Sequence, residues 1–194
     1  MRAFPLWLVP LLCLLQVSAG FFRFLEWHYY LGVIDARHRL SLADSVIIFV
    51  SAFTMVVSPG KVAEVLKSVL LKLRTGVPVA RSAPIVIAER VVDGLAVVVT
   101  LVITLLLAGD RLDLGDYRGI SEGIIFSTAI LLFGGLVVVQ IAPLAYFCLG
   151  IVARLPLVSR LHAALTEFYE SSREIFRIRH VAITTLMGMG VYMS

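Results

Sequence analysis

Five apolar runs limit the fold of this chain more than any other feature. They are Pro5 to Phe22, Leu42 to Val57, Ile85 to Ala108, Ile120 to Ala153, and a last run that opens at Val181. A helix needs about 20 apolar residues to cross the hydrocarbon core of a bilayer. The third run has this length, the fourth exceeds it, and the second is short. The sequence therefore predicts an all-α, polytopic integral membrane helix bundle.

The composition excludes several classes of protein. Hydrophobic residues make up 60% of the chain and charged residues 15%, whereas soluble domains average about 25% charged residues. The net charge of +4 does not indicate nucleic-acid binding, because in a membrane chain the location of basic residues matters more than their sum. The histidines and cysteines show no metal-ligand or nucleophile spacing. We therefore expect no enzyme activity, no cofactor or metal, and no nucleic-acid partner.

The first apolar run has two interpretations. Arg2, the stretch Leu6 to Leu15 and Val17-Ser18-Ala19 resemble a cleavable signal peptide. Against this, Pro5 precedes the stretch, Pro10 interrupts it, and aromatic residues follow it, as they do where a retained helix leaves the membrane. These aromatic residues are Phe21, Phe22, Phe24, Trp27, Tyr29 and Tyr30. A retained span that ends near Phe22 in an aromatic belt is the favoured interpretation.

Basic residues predict the orientation of the chain. Three connecting segments are basic, whereas the connection from Gly109 to Gly119 balances its arginines with aspartates. The basic segments contain Arg23, Arg37 and Arg39; Lys61, Lys67, Lys72, Arg74 and Arg81; and Arg154, Arg160, Arg173, Arg177 and Arg179. Basic loops face the cytoplasm. We expect an inner-membrane protein with these segments inside and the Gly109 to Gly119 loop outside.

The stretch Ser58-Pro59-Gly60 interrupts the second run. If Leu42 to Val57 crossed the membrane, the basic segment that contains Arg37 would lie outside. A re-entrant hairpin keeps all three basic segments inside, with Leu42 to Val57 and Lys61 to Leu73 as its half-helices. The alternative is an ordinary helix end at the membrane surface, followed by an interfacial helix whose Lys61 and Lys67 reach lipid phosphates.

Two groups of charged residues lie close to apolar runs. On a helical wheel, Lys61, Glu64, Ser68 and Lys72 fall on one stripe. Glu89, Arg90 and Asp93 follow Pro84, the expected start of a helix, and Arg90 and Asp93 have the i, i+3 spacing of an ion pair. Charges at membrane depth are costly and usually functional. We expect the two groups to face each other across a crevice; alternatively, the second group lies at the membrane surface.

Apolar residues recur at helical spacing among charged ones near the end of the chain. They are Leu161, Leu165, Phe168, Ile175 and Phe176. This pattern predicts a cytoplasmic amphipathic helix that lies on the membrane or on the bundle.

Three ordered stretches resemble the membrane region of the lysylphosphatidylglycerol synthase/flippase family. They are "FFRFLEWHYYLGV", "SPGKVAEVLKSVLL" and "GVPVARSAPIVIAERVVDGLA", and together they cover about residues 20 to 108. The motifs of the family fall on Pro59, Gly60, Glu64 and Lys67, then on Gly76, Val77 and Ser82, then on Glu89, Arg90 and Asp93. Ala63 departs from the pattern, since the family usually has glycine there.

The resemblance implies broken, re-entrant helices and the handling or translocation of lipid-linked substrates. We expect anionic or polyprenyl-phosphate lipids in a crevice formed by Ser58, Pro59, Gly60, Lys61, Glu64, Lys67, Ser82, Glu89, Arg90 and Asp93. The alternative is a non-transporting anchor or regulatory partner of a lipid synthase or glycosyltransferase. Besides lipids, we expect a membrane-protein partner or a homo-oligomer. Family members are typically longer, so we expect residues 1–194 to be one membrane domain that forms the N-terminal part of a longer, flippase-like one.

The re-entrant hairpin can be tested by labelling. Cysteines introduced at Arg37 and Arg74 in a cysteine-free background should react with a membrane-impermeant reagent from the same face, because a hairpin returns the chain to the side it left. Labelling of the two positions from opposite faces would contradict the hairpin.

Overall fold

The structure, a computed structural model, describes residues 8–54, 62–108, 118–141 and 162–193. This part of the chain contains seven α-helices, one 3-10 turn and no strand. The helices are α1 (Leu8–Val33), α2 (Leu42–Thr54), α3 (Val62–Thr75), α4 (Val79–Ala108), α5 (Arg118–Gln140), α6 (His162–Ile175) and α7 (Ile178–Met193), and the 3-10 turn is Arg37–Arg39. The predicted all-α bundle is confirmed.

Helix α1 is longer than the sequence predicts. It runs without a break through Val17-Ser18-Ala19 and continues past Phe22 to Val33. Its last turns are part of the core, because Trp27, Tyr30 and Leu31 have no exposed surface. The predicted aromatic belt is therefore wrong for Trp27 and Tyr30. Arg23, which the charge count places in a basic loop, lies inside the helix.

Helices α2 and α3 pack side by side and run in opposite directions. Ser41 caps α2, since its Oγ accepts a hydrogen bond from the backbone N–H of Asp44 at 3.1 Å. Gly76, with a φ of 74°, ends α3 in the left-handed conformation that favours glycine. The guanidinium of Arg74 lies 3.3 Å from the carboxylate of Asp44, so the end of α3 lies beside the start of α2.

The described parts of these two helices are similar in length. They have 13 and 14 residues, which corresponds to about 20 Å each. The break itself, Ser58-Pro59-Gly60, and the following Lys61 lie outside the described residues. The antiparallel pair is observed, and its entry into the membrane stays a prediction.

Helix α4 is the centre of the bundle and packs against α1, α3, α5, α6 and α7. It begins at Val79 rather than at the predicted Pro84, since the backbone N–H of Arg81 already bonds to the carbonyl of Pro78 at 3.0 Å. Pro84 lies inside the helix, where it removes one backbone hydrogen bond. The earlier start places Glu89 almost three turns from the helix end, about 15 Å along the axis. Its carboxylate is therefore deep in the bundle.

Close packing and hydrogen bonds hold α7 against α1 and α4. The hydroxyl of Tyr30 donates to Thr184 Oγ1 at 3.0 Å, and both groups are buried. Tyr29 Oη lies 2.7 Å from His180 Nδ1. A Cβ atom added at Gly188 would lie 3.1 Å from Glu26 Oε1 and 3.2 Å from the Cβ of Ala96. The missing side chain of Gly188 thus allows α7 to approach both helices.

The predicted amphipathic helix is present as α6 and lies on the bundle, against α4. Its buried face contains Ser171, Ser172 and Ile175. Ser171 Oγ donates to the carbonyl of Arg81 at 2.6 Å. Gln140, at the end of α5, donates to the carbonyl of Phe176 at 2.8 Å. These bonds join α6 to both neighbouring helices.

The outer surface of the bundle is apolar. Large hydrophobic side chains are exposed on α1 (Leu14, Val17, Phe21), α3 (Val65, Leu73), α4 (Leu106, Leu107) and α5 (Ile130, Leu131). Among the described helices, α1 is long and apolar enough to cross a membrane, and Leu42–Ala52 and Gly123–Val137 are shorter apolar segments. The expected span from Ile85 to Ala108 lies within the 30 residues of α4. The surface is one that lipid would cover.

The glycine contact between α7 and α1 predicts the effect of one added methyl group. Gly188→Ala should lower the free energy of unfolding by about 1–3 kcal/mol, because overpacking forces neighbouring atoms to shift. Gly20→Ala in α1 is the control, since a Cβ there meets nothing within 4 Å; it should be neutral or stabilising through its helix propensity. Equal effects in equilibrium unfolding would contradict this packing.

Candidate functional site

A buried ion pair joins α3 to α4. Lys67 Nζ donates to Glu89 Oε1 at 3.0 Å and to Oε2 at 2.9 Å. The exposed fractions of the two side chains are 9% and 5%. Because both carboxylate oxygens accept from one ammonium group, the two charges compensate each other within the apolar interior.

Two aromatic rings enclose the ammonium group of this pair. Lys67 Nζ lies 5.2 Å from the centroid of the Trp27 ring on α1 and 5.2 Å from that of Phe49 on α2. A cation near the face of an aromatic ring is attracted by its quadrupole. The Lys67–Glu89 pair therefore brings together side chains from all four of the first helices.

A second ion-pair group lies along the same face of α4. Arg23 Nη1 on α1 lies 2.8 Å from Asp93 Oδ1 and donates to Oδ2 at 3.0 Å. Arg90 Nη1 lies 3.1 Å from Asp93 Oδ2, which is the i, i+3 pair that the spacing predicts. The arginine side chains are 25% and 45% exposed, whereas that of Asp93 is 11% exposed. Two guanidinium groups therefore share one carboxylate at the edge of the bundle.

The two ion-pair groups together form the buried charge cluster. Its members are Arg23, Lys67, Glu89, Arg90 and Asp93. Charged side chains inside a membrane bundle are rare and usually mark a functional site. Glu26, one turn after Arg23 on α1, lies next to this cluster and is 1% exposed.

The structure brings together four of the residues that the sequence assigns to the crevice: Lys67, Glu89, Arg90 and Asp93. Ser58, Pro59, Gly60 and Lys61 lie outside the described residues. Glu64 belongs to the first turn of α3, and its side chain also lies outside them. Ser82 is fully buried about two turns before Glu89; its hydroxyl donates to the carbonyl of Val79 at 3.3 Å.

The predicted polar stripe on α3 is wrong at Lys72. Lys72 is exposed, while Lys67, Ser68 and Leu71 form the buried face of the helix. The apolar Val65 and Leu73 point outward, with 55% and 76% of their surface exposed. A membrane helix can place apolar side chains outward toward lipid and keep its charges inside. Because Lys67 lies on the buried face of α3, it forms its ion pair with Glu89. Asp93 forms its ion pair with Arg23 on α1.

Arg23 and Glu26 were not expected near the site. The charge pattern predicts Arg23 in a basic connecting segment, because the aromatic residues around it suggest a membrane exit, and it predicts no role for Glu26. The signal that identifies them is helical periodicity. Arg23, Glu26, Trp27 and Tyr30 have the spacing i, i+3, i+4, i+7, which places them on one face of a helix.

The comparison with family models identifies the chain. The model described as the lysylphosphatidylglycerol synthase TM region matches residues 1–194. The chain belongs to this family. No curated protein matches the chain, and no solved structure matches it.

Membership in this family has a direct structural consequence. The domain is a transmembrane, lipid-related one, and the large apolar side chains on its outer surface suit a lipid environment. The apolar composition and the all-α fold agree with this placement.

The shared carboxylate of Asp93 predicts unequal effects of its partners. Asp93→Asn should lower the free energy of unfolding by about 3–5 kcal/mol, because it leaves two arginines without their anion. Arg90→Gln should cost less than about 1 kcal/mol, since Arg23 still holds Asp93 and Arg90 is largely solvated. Equilibrium unfolding in bicelles measures both. A loss for Arg90→Gln as large as that for Asp93→Asn would contradict the arrangement.

Proposed function

We propose that this domain is flippase-like: it binds anionic or polyprenyl-phosphate lipids at the Arg23–Asp93–Arg90 group and moves their head groups across the membrane. The observation that carries the proposal is the meeting of two partly exposed guanidinium groups at one carboxylate, that of Asp93. A positive charge at membrane depth attracts an anionic head group.

The chemistry of arginine suits a phosphate. Guanidinium presents five N–H donors in a planar fork that matches phosphate oxygens. The contacts with Asp93 involve Nη1 of each arginine, and the side chains of both arginines are partly exposed at the surface of the bundle. Asp93 holds the two guanidinium groups in position, while the acyl chains stay in the lipid that covers the apolar outer surface.

A second function is favoured by a different observation. The Lys67–Glu89 pair is buried and its charges compensate each other, so this part of the cluster holds helices together rather than offering a ligand site. A domain whose charged residues only stabilise its fold would serve as a membrane anchor or regulatory partner of a lipid synthase or glycosyltransferase. Such a domain would retain its role after the loss of Arg90.

The sequence supports a location and an orientation for the domain. We infer an inner-membrane domain with its basic connecting segments on the cytoplasmic side. Its partners are membrane lipids, with a membrane protein or a second copy of the chain as a further partner. Translocation of this kind requires no covalent step, so the proposed role is not that of an enzyme.

Translocation in reconstituted vesicles tests the proposal. The full chain should accelerate the movement of a fluorescent anionic phospholipid between leaflets, and Arg90→Gln should reduce its apparent lipid affinity on the order of 10- to 100-fold. This range follows from about 1.5–3 kcal/mol for a hydrogen bond to a charged group. Arg74→Gln is the matched control, because Arg74 is an exposed arginine outside the buried charge cluster.

Two outcomes would count against the proposal. Equal losses in Arg90→Gln and Arg74→Gln would show a general effect of surface charge. Movement of anionic and polyprenyl lipids no faster than in protein-free vesicles would favour the anchor or regulatory role.

A further inference from the structure

Glu26 is a buried titratable residue that the proposed function does not use. It lies on α1 with 1% of its surface exposed, and its Oε1 atom has no hydrogen-bond partner in the described part of the chain. The backbone of α7 lies close to this atom, since a Cβ at Gly188 would be 3.1 Å away. At Gly188, α7 therefore places its backbone, and no side chain, next to Oε1.

The charged groups around Glu26 come from three helices. They are Arg23 on α1, Lys67 on α3, and Glu89 and Asp93 on α4; α7 faces Oε1 with Gly188. Both cations have other partners, since Lys67 binds Glu89 and Arg23 binds Asp93. Among the described residues, Glu26 therefore has no cation of its own.

The pairing of the neighbouring charges indicates how the site tolerates this residue. Lys67 binds Glu89, and Arg23 and Arg90 both contact Asp93. The cations of the cluster are therefore each already bound to another acid. An isolated carboxylate in an apolar interior is so costly that the group takes up a proton instead.

We propose that Glu26 is a proton-binding site coupled to the lipid site through Arg23. Binding and release follow –COOH ⇌ –COO⁻ + H⁺, and the released proton passes to water. Arg23 precedes Glu26 by three residues, which places the two side chains on one helix face. When Glu26 is ionised it attracts Arg23 away from Asp93, and the position of this guanidinium group at the lipid site changes. Coupling to lipid movement rests on the proposed function; the proton site does not.

Infrared spectroscopy tests the proton site on the full chain in lipid. At neutral pH the wild type should show the C=O stretch of a protonated carboxyl group that shifts in D₂O. Glu26→Gln should lack this band, whereas Glu170→Gln should keep it, because Glu170 is exposed. A band missing from the wild type, or one that persists in Glu26→Gln, would overturn the proposal.

A second variant covers the case in which Glu26→Gln does not fold. Glu26→Asp keeps the titratable group but shortens its side chain, so the band should change in frequency. An unchanged band in Glu26→Asp would also overturn the assignment.

Vesicles with an imposed pH gradient test the coupling. Wild-type translocation of the anionic phospholipid should change several-fold when the direction of the gradient is reversed, and Glu26→Gln should give one rate in both directions. If the band of the protonated carboxyl group is present but the wild-type translocation rate does not depend on the direction of the pH gradient, the coupling is overturned. A protonated band with no lipid movement at all would support the proton site and overturn both the coupling and the proposed function.

Discussion

The bundle depends on a lysine ammonium group held by a carboxylate in a place that water does not reach. Lys67 and Glu89 compensate each other's charge at 2.9 and 3.0 Å, and the rings of Trp27 and Phe49 enclose the ammonium group. Removing one partner of such a pair strands the other charge, which costs far more than the pair contributes to stability. The pair therefore fixes α3 against α4 and specifies where α1 and α2 pack.

The rest of the architecture follows from keeping charges inside and apolar side chains outside. The outward-facing Val65 and Leu73 of α3 would be a liability in water, but they suit a helix that faces lipid. The two ion-pair groups differ in their exposure, and we assign stability to the buried group and lipid binding to the exposed one. The side chains of Lys67 and Glu89 are buried, whereas those of Arg23 and Arg90 are partly exposed.

Part of this could be predicted from the sequence because it depends on local pattern. The apolar runs specify helices, the spacing of Arg90 and Asp93 specifies their pair, and the periodicity around Phe168 specifies α6. The same local patterns also led to wrong predictions, such as the start of α4. Pro78 and Pro84 can each begin a helix, and only the hydrogen bonds of the first turn show that α4 begins after Pro78.

The partners of charged residues on different helices could not be predicted in the same way. Glu89 meets Lys67 because α3 turns that face inward, and this rotation is set by tertiary packing at Leu71 rather than by the polar stripe of the helix. Arg23 was assigned to a loop because aromatic residues at a membrane exit and aromatic residues in a core look alike in sequence. Their difference is burial, which a single sequence does not contain.

A double-mutant cycle at the central pair tests this account most directly. Lys67→Met and Glu89→Gln should each lower the free energy of unfolding by about 3–5 kcal/mol, and the double variant should lose much less than the sum. The exposed Asp44–Arg74 pair is the comparison, since such pairs contribute less than about 1 kcal/mol. Small, additive losses at Lys67 and Glu89, no larger than those at Asp44 and Arg74, would contradict a bundle organised around a buried charge pair.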